Sequence, residues 1–185
     1  MKKLFLFVFA IFAVSAVSAQ SISHEGDITV LKNTFPYDLR INYDDLKVNG
    51  ITVEEFLPTM DEKFRNDWDA DIVVFSESVG KSIPILMNKK NTLDPTNAQY
   101  IFDLKLNSLT LGNVSGMFNP FTSNKSGGSI ISGTLEVFEA STNSSVLVIT
   151  FDEIQGLSNI SDKMRWSLAY VEFAKRLKKI VKKAK

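Results

Sequence analysis

The chain of 185 residues contains no cysteine. That absence removes disulfide bridges, thiolate metal sites and cysteine nucleophiles together. Histidine is almost missing as well, since His24 is the only one. A serine–histidine–aspartate triad would have to recruit that single residue, and a histidine-based zinc site would lack its ligands. Net charge is also absent, with 21 basic and 21 acidic residues, so the chain does not have the balance of a globally basic nucleic-acid binder. Long hydrophobic runs are missing too. The longest, Leu4 to Val14, has eleven residues and is too short to span a bilayer as a helix. Glycine-rich phosphate loops do not occur. The stretch "NKSGGS" (124–129) puts its lysine and serine before the glycines, the reverse of the Walker order, and a strand pattern follows where a helix should open. No cofactor-binding motif is present.

What is there begins with "MKKLFLFVFAIFAVSAVSAQ". Lys2 and Lys3 precede the apolar run, and Val17-Ser18-Ala19 follows it as a site for signal peptidase. This is the layout of a secretory signal, with cleavage expected after Ala19. No cysteine stands at that site, so the chain is not expected to be a lipoprotein. We expect a periplasmic or secreted protein. Its mature charge is 19 basic minus 21 acidic, or −2, because Lys2 and Lys3 leave with the signal.

Residues 20–27, "QSISHEGD", read as a flexible leader. Residues 20–185 then form a single domain, long enough for one core. Strand patterns fall at 28–31, 37–45, 70–79, 82–87, 98–112, 129–140 and 144–154. Pro84 makes the fourth doubtful as a strand. In the fifth, Tyr100, Phe102, Leu104 and Leu106 alternate with polar residues, which predicts one wet face. Two stretches read as helices. In the first, Thr52 and Glu55 have capping-box spacing, and Phe56, Met60, Phe64 and Trp68 recur every four residues. Pro58 either kinks that helix or opens its regular part. The second runs from Ser161 to the basic end. The pattern predicts an α+β fold: one mixed or mostly antiparallel sheet of five to six strands, with two main helices packed on it.

The last thirteen residues, "FAKRLKKIVKKAK", hold seven cations and no acid. The rest of the mature chain carries 12 basic and 21 acidic residues, a net of −9. Trp166, Tyr170, Phe173, Leu177, Ile180 and Ala184 form an apolar stripe through this end, widened by Ala169, Ala174 and Val181. We read the end as the final turns of an amphipathic helix packed on its own sheet. The alternative is that Arg176, Lys179, Lys182 and Lys183 touch anionic lipid or an acidic partner. A further alternative lays the basic end against the acidic body.

Three other features invite a chemical reading. The long loop 113–128 holds Met117, Phe118, Phe121 and Lys125. Exposed, its apolar groups would be a contact patch for a partner; folded back, they would be a lid on the core. "DWDAD" places Asp67, Asp69 and Asp71 in alternation, like the start of a calcium loop. The match ends there, since Ile72 stands where the loop needs glycine and Ser78 where it needs its closing glutamate. Carboxylate pairs occur at Asp44/Asp45, Glu54/Glu55 and Asp152/Glu153. Neighbours along a strand point to opposite faces, so none of these pairs alone makes a two-carboxylate catalytic site.

The succession "ADIVVF", "YIFDLKLNSLTLGN", "GGSIISGTLEVFEASTNSSVLVITFDEI" and a long amphipathic helix resembles small α/β domains of bacterial envelope proteins. That group includes the periplasmic domains of curli-secretion and peptidoglycan-synthase-activator lipoproteins, and secreted proteins of Bacteroidetes. The likeness is one of element order over residues 70–183 and includes no catalytic motif. It implies a binding or scaffolding role and supplies no site residues. We therefore expect an exported, non-enzymatic binding or assembly module of the bacterial cell envelope. Its expected partners are an envelope protein or an anionic membrane surface, not nucleic acid. The alternative is a hydrolase of an envelope polymer, acting through Asp and Glu side chains that converge from distant segments.

Overall fold

A computed structural model describes residues 21–112 and 127–185. The predicted signal segment, and Met117, Phe118, Phe121 and Lys125 of the long loop, lie outside the described residues. The polar stretch read as a leader contributes strand β1, Ser21–Gly26. A 3-10 helix follows at Ile28–Lys32, where the sequence pattern had predicted a strand. Asp27 opens it by accepting from the Thr29 amide at 2.9 Å and the Thr29 hydroxyl at 2.6 Å. Next come β2 (Pro36–Asn42), β3 (Lys47–Val48) and β4 (Ile51–Thr52).

The segment from 53 to 87 is helical throughout but broken into pieces. These are α1 (Val53–Phe56), a 3-10 turn over Leu57–Thr59, α2 (Glu62–Asp67), a π-helical turn over Trp68–Val73, α3 (Val74–Gly80) and α4 (Ile83–Met87). Strand β5 (Thr92–Leu93) is short; β6 (Tyr100–Thr110), β7 (Ile130–Glu139) and β8 (Ser144–Gln155) are long. Helix α5 (Asp162–Lys183) ends the described chain.

The strands form one mixed sheet in the order β1-β8-β7-β6-β2-β5, with β3 also pairing β6 and β4 pairing β3. The β1–β8–β7–β6 run is antiparallel, whereas β2 lies parallel to both β6 and β5. The expectation of five to six strands with two main helices is overturned: the described residues form eight strands, one long helix and a train of short helices. Two of the predicted strands, 70–79 and 82–87, are helical. From 68 to 80 the buried residues are Trp68, Ile72, Ser76 and Gly80, a spacing of four that marks one helix face. Ser76 and Gly80 are small because α3 lies close against its neighbours. A Cβ on Gly80 would sit 2.7 Å from Ile41 Cδ1 and 3.3 Å from a Tyr170 ring carbon. Pro84 falls in the first turn of α4, where its missing N–H costs nothing.

Pro58 stops α1 rather than kinking it, and Asp61 caps a fresh start at α2, accepting from the Phe64 amide at 2.8 Å. The capping box of α1 forms as its spacing predicts, with Thr52 and Glu55 bonded in both directions. Helix α5 lays Trp166, Ala169, Tyr170, Phe173, Ala174, Leu177 and Val181 into the core. It meets β7, β8, α3 and α4. The Phe151 and Phe173 rings lie 4.4 Å apart between sheet and helix. The basic end is thus the last part of a packed helix, as its stripe predicts, with Val181 more deeply buried than Ile180.

Candidate functional site

The end of α5 meets the 3-10 helix 28–32 and the turn after α4 around a groove of about 690 Å³. Leu31, Met87 and Val181 give it an apolar floor. Lys32, Lys89, Lys90, Lys178 and Lys182 stand around it. Three segments distant in sequence supply this ring, and each is held in place by specific bonds.

Lys32 donates to the Ala184 carbonyl at 2.8 Å, tying the 3-10 helix to the end of α5. This also places a cation at the negative end of the helix. The turn at 88–91 is built by two asparagines. Asn88 Oδ1 accepts from the Lys90 amide at 3.1 Å. Asn91 is buried, accepts from the Phe35 amide at 3.2 Å and donates to the Pro84 carbonyl at 3.0 Å. The turn therefore cannot slide along β2, and Lys89 and Lys90 are presented at its tip, both exposed. On α5, Lys178 and Lys182 are four residues apart, so they share one face with Val181 beside them.

The electrostatics of the groove are one-sided. The ion pairs among the described residues join Arg40–Asp38, Lys63–Asp67, Lys81–Glu77, Lys105–Asp45, Lys163–Asp71, Arg165–Asp162 and Arg176–Glu172. None of them involves a lysine of the groove. At one of these pairs the Lys105 ammonium, bonded to Asp45, holds that carboxyl below the usual aspartate range.

Of the four cations expected to face an anionic surface, the structure brings one, Lys182, to the groove. Arg176 is bound to Glu172 at 2.9 Å. Lys179 and Lys183 are exposed but do not line the groove. Sequence reading missed Lys32, Lys89, Lys90 and Lys178. For Lys178 the helical spacing to Lys182 was a usable signal; for the other three nothing local indicates the meeting.

A second cleft, of about 270 Å³, gathers carboxylates from separate elements: Asp61, Asp67, Asp71 and Asp162. Each is already engaged. Asp67 pairs with Lys63, Asp71 with Lys163, Asp162 with Arg165, and Asp61 caps α2. Among the described residues, no three His, Cys, Asp or Glu side chains are placed to hold a metal ion. The aspartates of "DWDAD" lie at the end of α2 and in the π-helical turn. No helix of the described residues is long and apolar enough to cross a membrane.

No family model matches the chain, and no curated protein matches it. Among solved structures, it superposes on a PelC dodecamer from Paraburkholderia phytofirmans with a TM-score of 0.42 and 11% identity, over 84% of this chain and 96% of that one. A PelC variant from the same organism superposes with a TM-score of 0.39 and 10% identity, over 84% and 95% of the two chains. At these scores neither superposition carries an argument about this protein. What the chain itself defines is a two-layer α+β domain with helices on one face of a mixed sheet.

Proposed function

We propose that the protein is an exported, non-enzymatic binding module of the bacterial envelope, and that it engages anionic lipid through the lysine-ringed groove. The observation that carries this reading is the set of five lysines, gathered from three segments, with no acidic partner among the described residues. Five cations of one sign around a concave space, with no carboxylate in the lining among the described residues, make a surface suited to an external anion. The signal-like residues 1–19 support export.

Co-sedimentation with vesicles tests the reading. The mature protein should pellet with phosphatidylcholine vesicles that contain phosphatidylglycerol and stay in solution with phosphatidylcholine alone. Each lysine at an anionic surface contributes about 1 kcal/mol, so Lys89→Glu combined with Lys182→Glu should weaken binding by at least about tenfold. Equal binding to both vesicles, or no effect of the double reversal, would sink the proposal.

The hydrolase alternative keeps one supporting observation, the aspartate cleft between α2, the π-helical turn and α5. Its test is incubation with purified peptidoglycan. Product release that Asp61→Asn abolishes would establish it and displace the binding reading.

A further inference from the structure

We infer that the groove is a binding site for a single aliphatic chain carrying an anionic head, a free fatty-acid-like amphiphile. The inference rests on the reading above that the lysine ring receives an anion, and goes further by naming what fills the space beneath the ring. A surface that attracts a bilayer by charge alone needs no cavity; lysines on a flat helix face would serve. Here the lysines surround a concave space of about 690 Å³, within the range of roughly 300–1,000 Å³ that small-molecule sites occupy.

The composition of the lining narrows the occupant. Leu31, Met87 and Val181 are aliphatic, and among the described residues no aromatic ring lines the groove. Sugars and nucleobases, which bind by stacking on rings and by many directed hydrogen bonds, find neither. Among the described residues, Asn88 is the only uncharged polar side chain in the lining. Methionine adapts its shape to a flexible chain, and the lysine stems extend the apolar wall toward the rim while their ammonium groups stay in water. Among the described residues the charged groups of the lining are all ammonium groups, with no arginine fork. That suits a carboxylate or phosphate without a fixed two-pronged geometry. One end of the ligand is therefore aliphatic, and the other carries a compact negative charge.

The experiment uses the mature protein and oleate below its micellar concentration, followed by titration calorimetry and by the NMR signal of the Met87 methyl group. Oleate should bind saturably, one per protein, and shift the Met87 signal. Oleyl alcohol, the same chain without the charge, should bind at least tenfold more weakly. Lys89→Glu/Lys182→Glu should weaken oleate by at least tenfold, and Met87→Arg, folded by circular dichroism, should do the same by filling the floor. If oleate does not bind while anionic vesicles still do, the groove is a charged surface only; this inference falls and the proposed function stands. If neither binds, both fall. If poly-glutamate binds and oleate does not, the occupant is an acidic peptide and the inference is overturned. Equal affinity for oleate and oleyl alcohol would also overturn it, because the lysine ring would then recognise nothing.

Discussion

Arg165 is a buried cation, 2% exposed, near the start of α5. Its Nε donates to the Leu111 carbonyl at 3.0 Å, one terminal nitrogen donates to the Asn159 carbonyl at 2.6 Å, and the other pairs with Asp162. One side chain thus joins the end of the β6 strand, the β8–α5 connection and the first turn of α5. Hydrogen bonds to charged groups contribute about 1.5–3 kcal/mol each, and the groups left behind here are partly reachable by water. Arg165→Met should lower unfolding stability by about 2–3 kcal/mol, read from urea denaturation. A loss well under 1 kcal/mol would show that the clasp is dispensable.

The tyrosines give a second prediction at this scale. Burial pushes the Tyr170 hydroxyl far above its ordinary pKa, and the adjacent Tyr43 adds to this; their oxygens are 3.3 Å apart. Burial also raises Tyr43, and pushes Tyr37 up to about 12. A raised folded-state pKa means that the unfolded chain gives up the proton first. The stability these groups contribute is therefore complete below about pH 10, the ordinary tyrosine value, and is lost as pH rises toward the folded values. The urea midpoint should fall above about pH 10, and the fall should be shallower in Tyr170→Phe. An identical alkaline slope in that variant would mean that Tyr170 does not set it.

At the scale of elements, α5 organises the molecule. Phe173 is buried against Phe151 at the helix–sheet contact. Phe173→Ala should cost about 3–5 kcal/mol, the range for truncating a buried phenylalanine, measured by chemical denaturation. The β7–β8 ladder shows how side chains shape an element. Asp152 and Glu153 together face Ser132, a bulge in which Glu153 takes a φ of 50°. Ser132 Oγ donates to Asp152 at 2.8 Å and accepts from the Glu153 amide at 2.9 Å. The bulge sharpens the local twist of β8. Beside it, Gly133 lets the strands approach, since a Cβ there would lie 2.2 Å from the Lys105 carbonyl oxygen.

Some of these elements were legible in the sequence and some were not. The β6–β8 strands and α5 have long, clean periodicities, and they form close to the predicted bounds. Residues 70–79 were misread because "IVVF" is a short apolar run that fits a strand as well as a helix. Gly80 is a close-approach position that only the packing partner explains.

At the scale of the whole molecule, the charge is polarised. The basic end of α5 is joined by Lys32, Lys89 and Lys90, which sequence distance had hidden. Exposed charges are screened over about 8–10 Å at physiological salt. Binding to anionic vesicles should therefore weaken steeply as salt rises, followed by co-sedimentation; binding indifferent to salt would mean that the apolar floor and not the ring dominates. Charge reversal is a cleaner probe than truncation, because removing the last turns would also take Val181 out of the core and break the bond from Lys32 to Ala184.

By itself the sequence determined the composition-level exclusions, the wet and dry faces of β6, the capping box at Thr52 and the packed stripe of α5. These depend on neighbours along the chain, where period and cap chemistry act directly. Only the tertiary structure decided the number of strands, the helical state of 70–87 and the groove. Each of those depends on which surfaces meet, and the lysines of the groove come together from positions as far apart as 32 and 182.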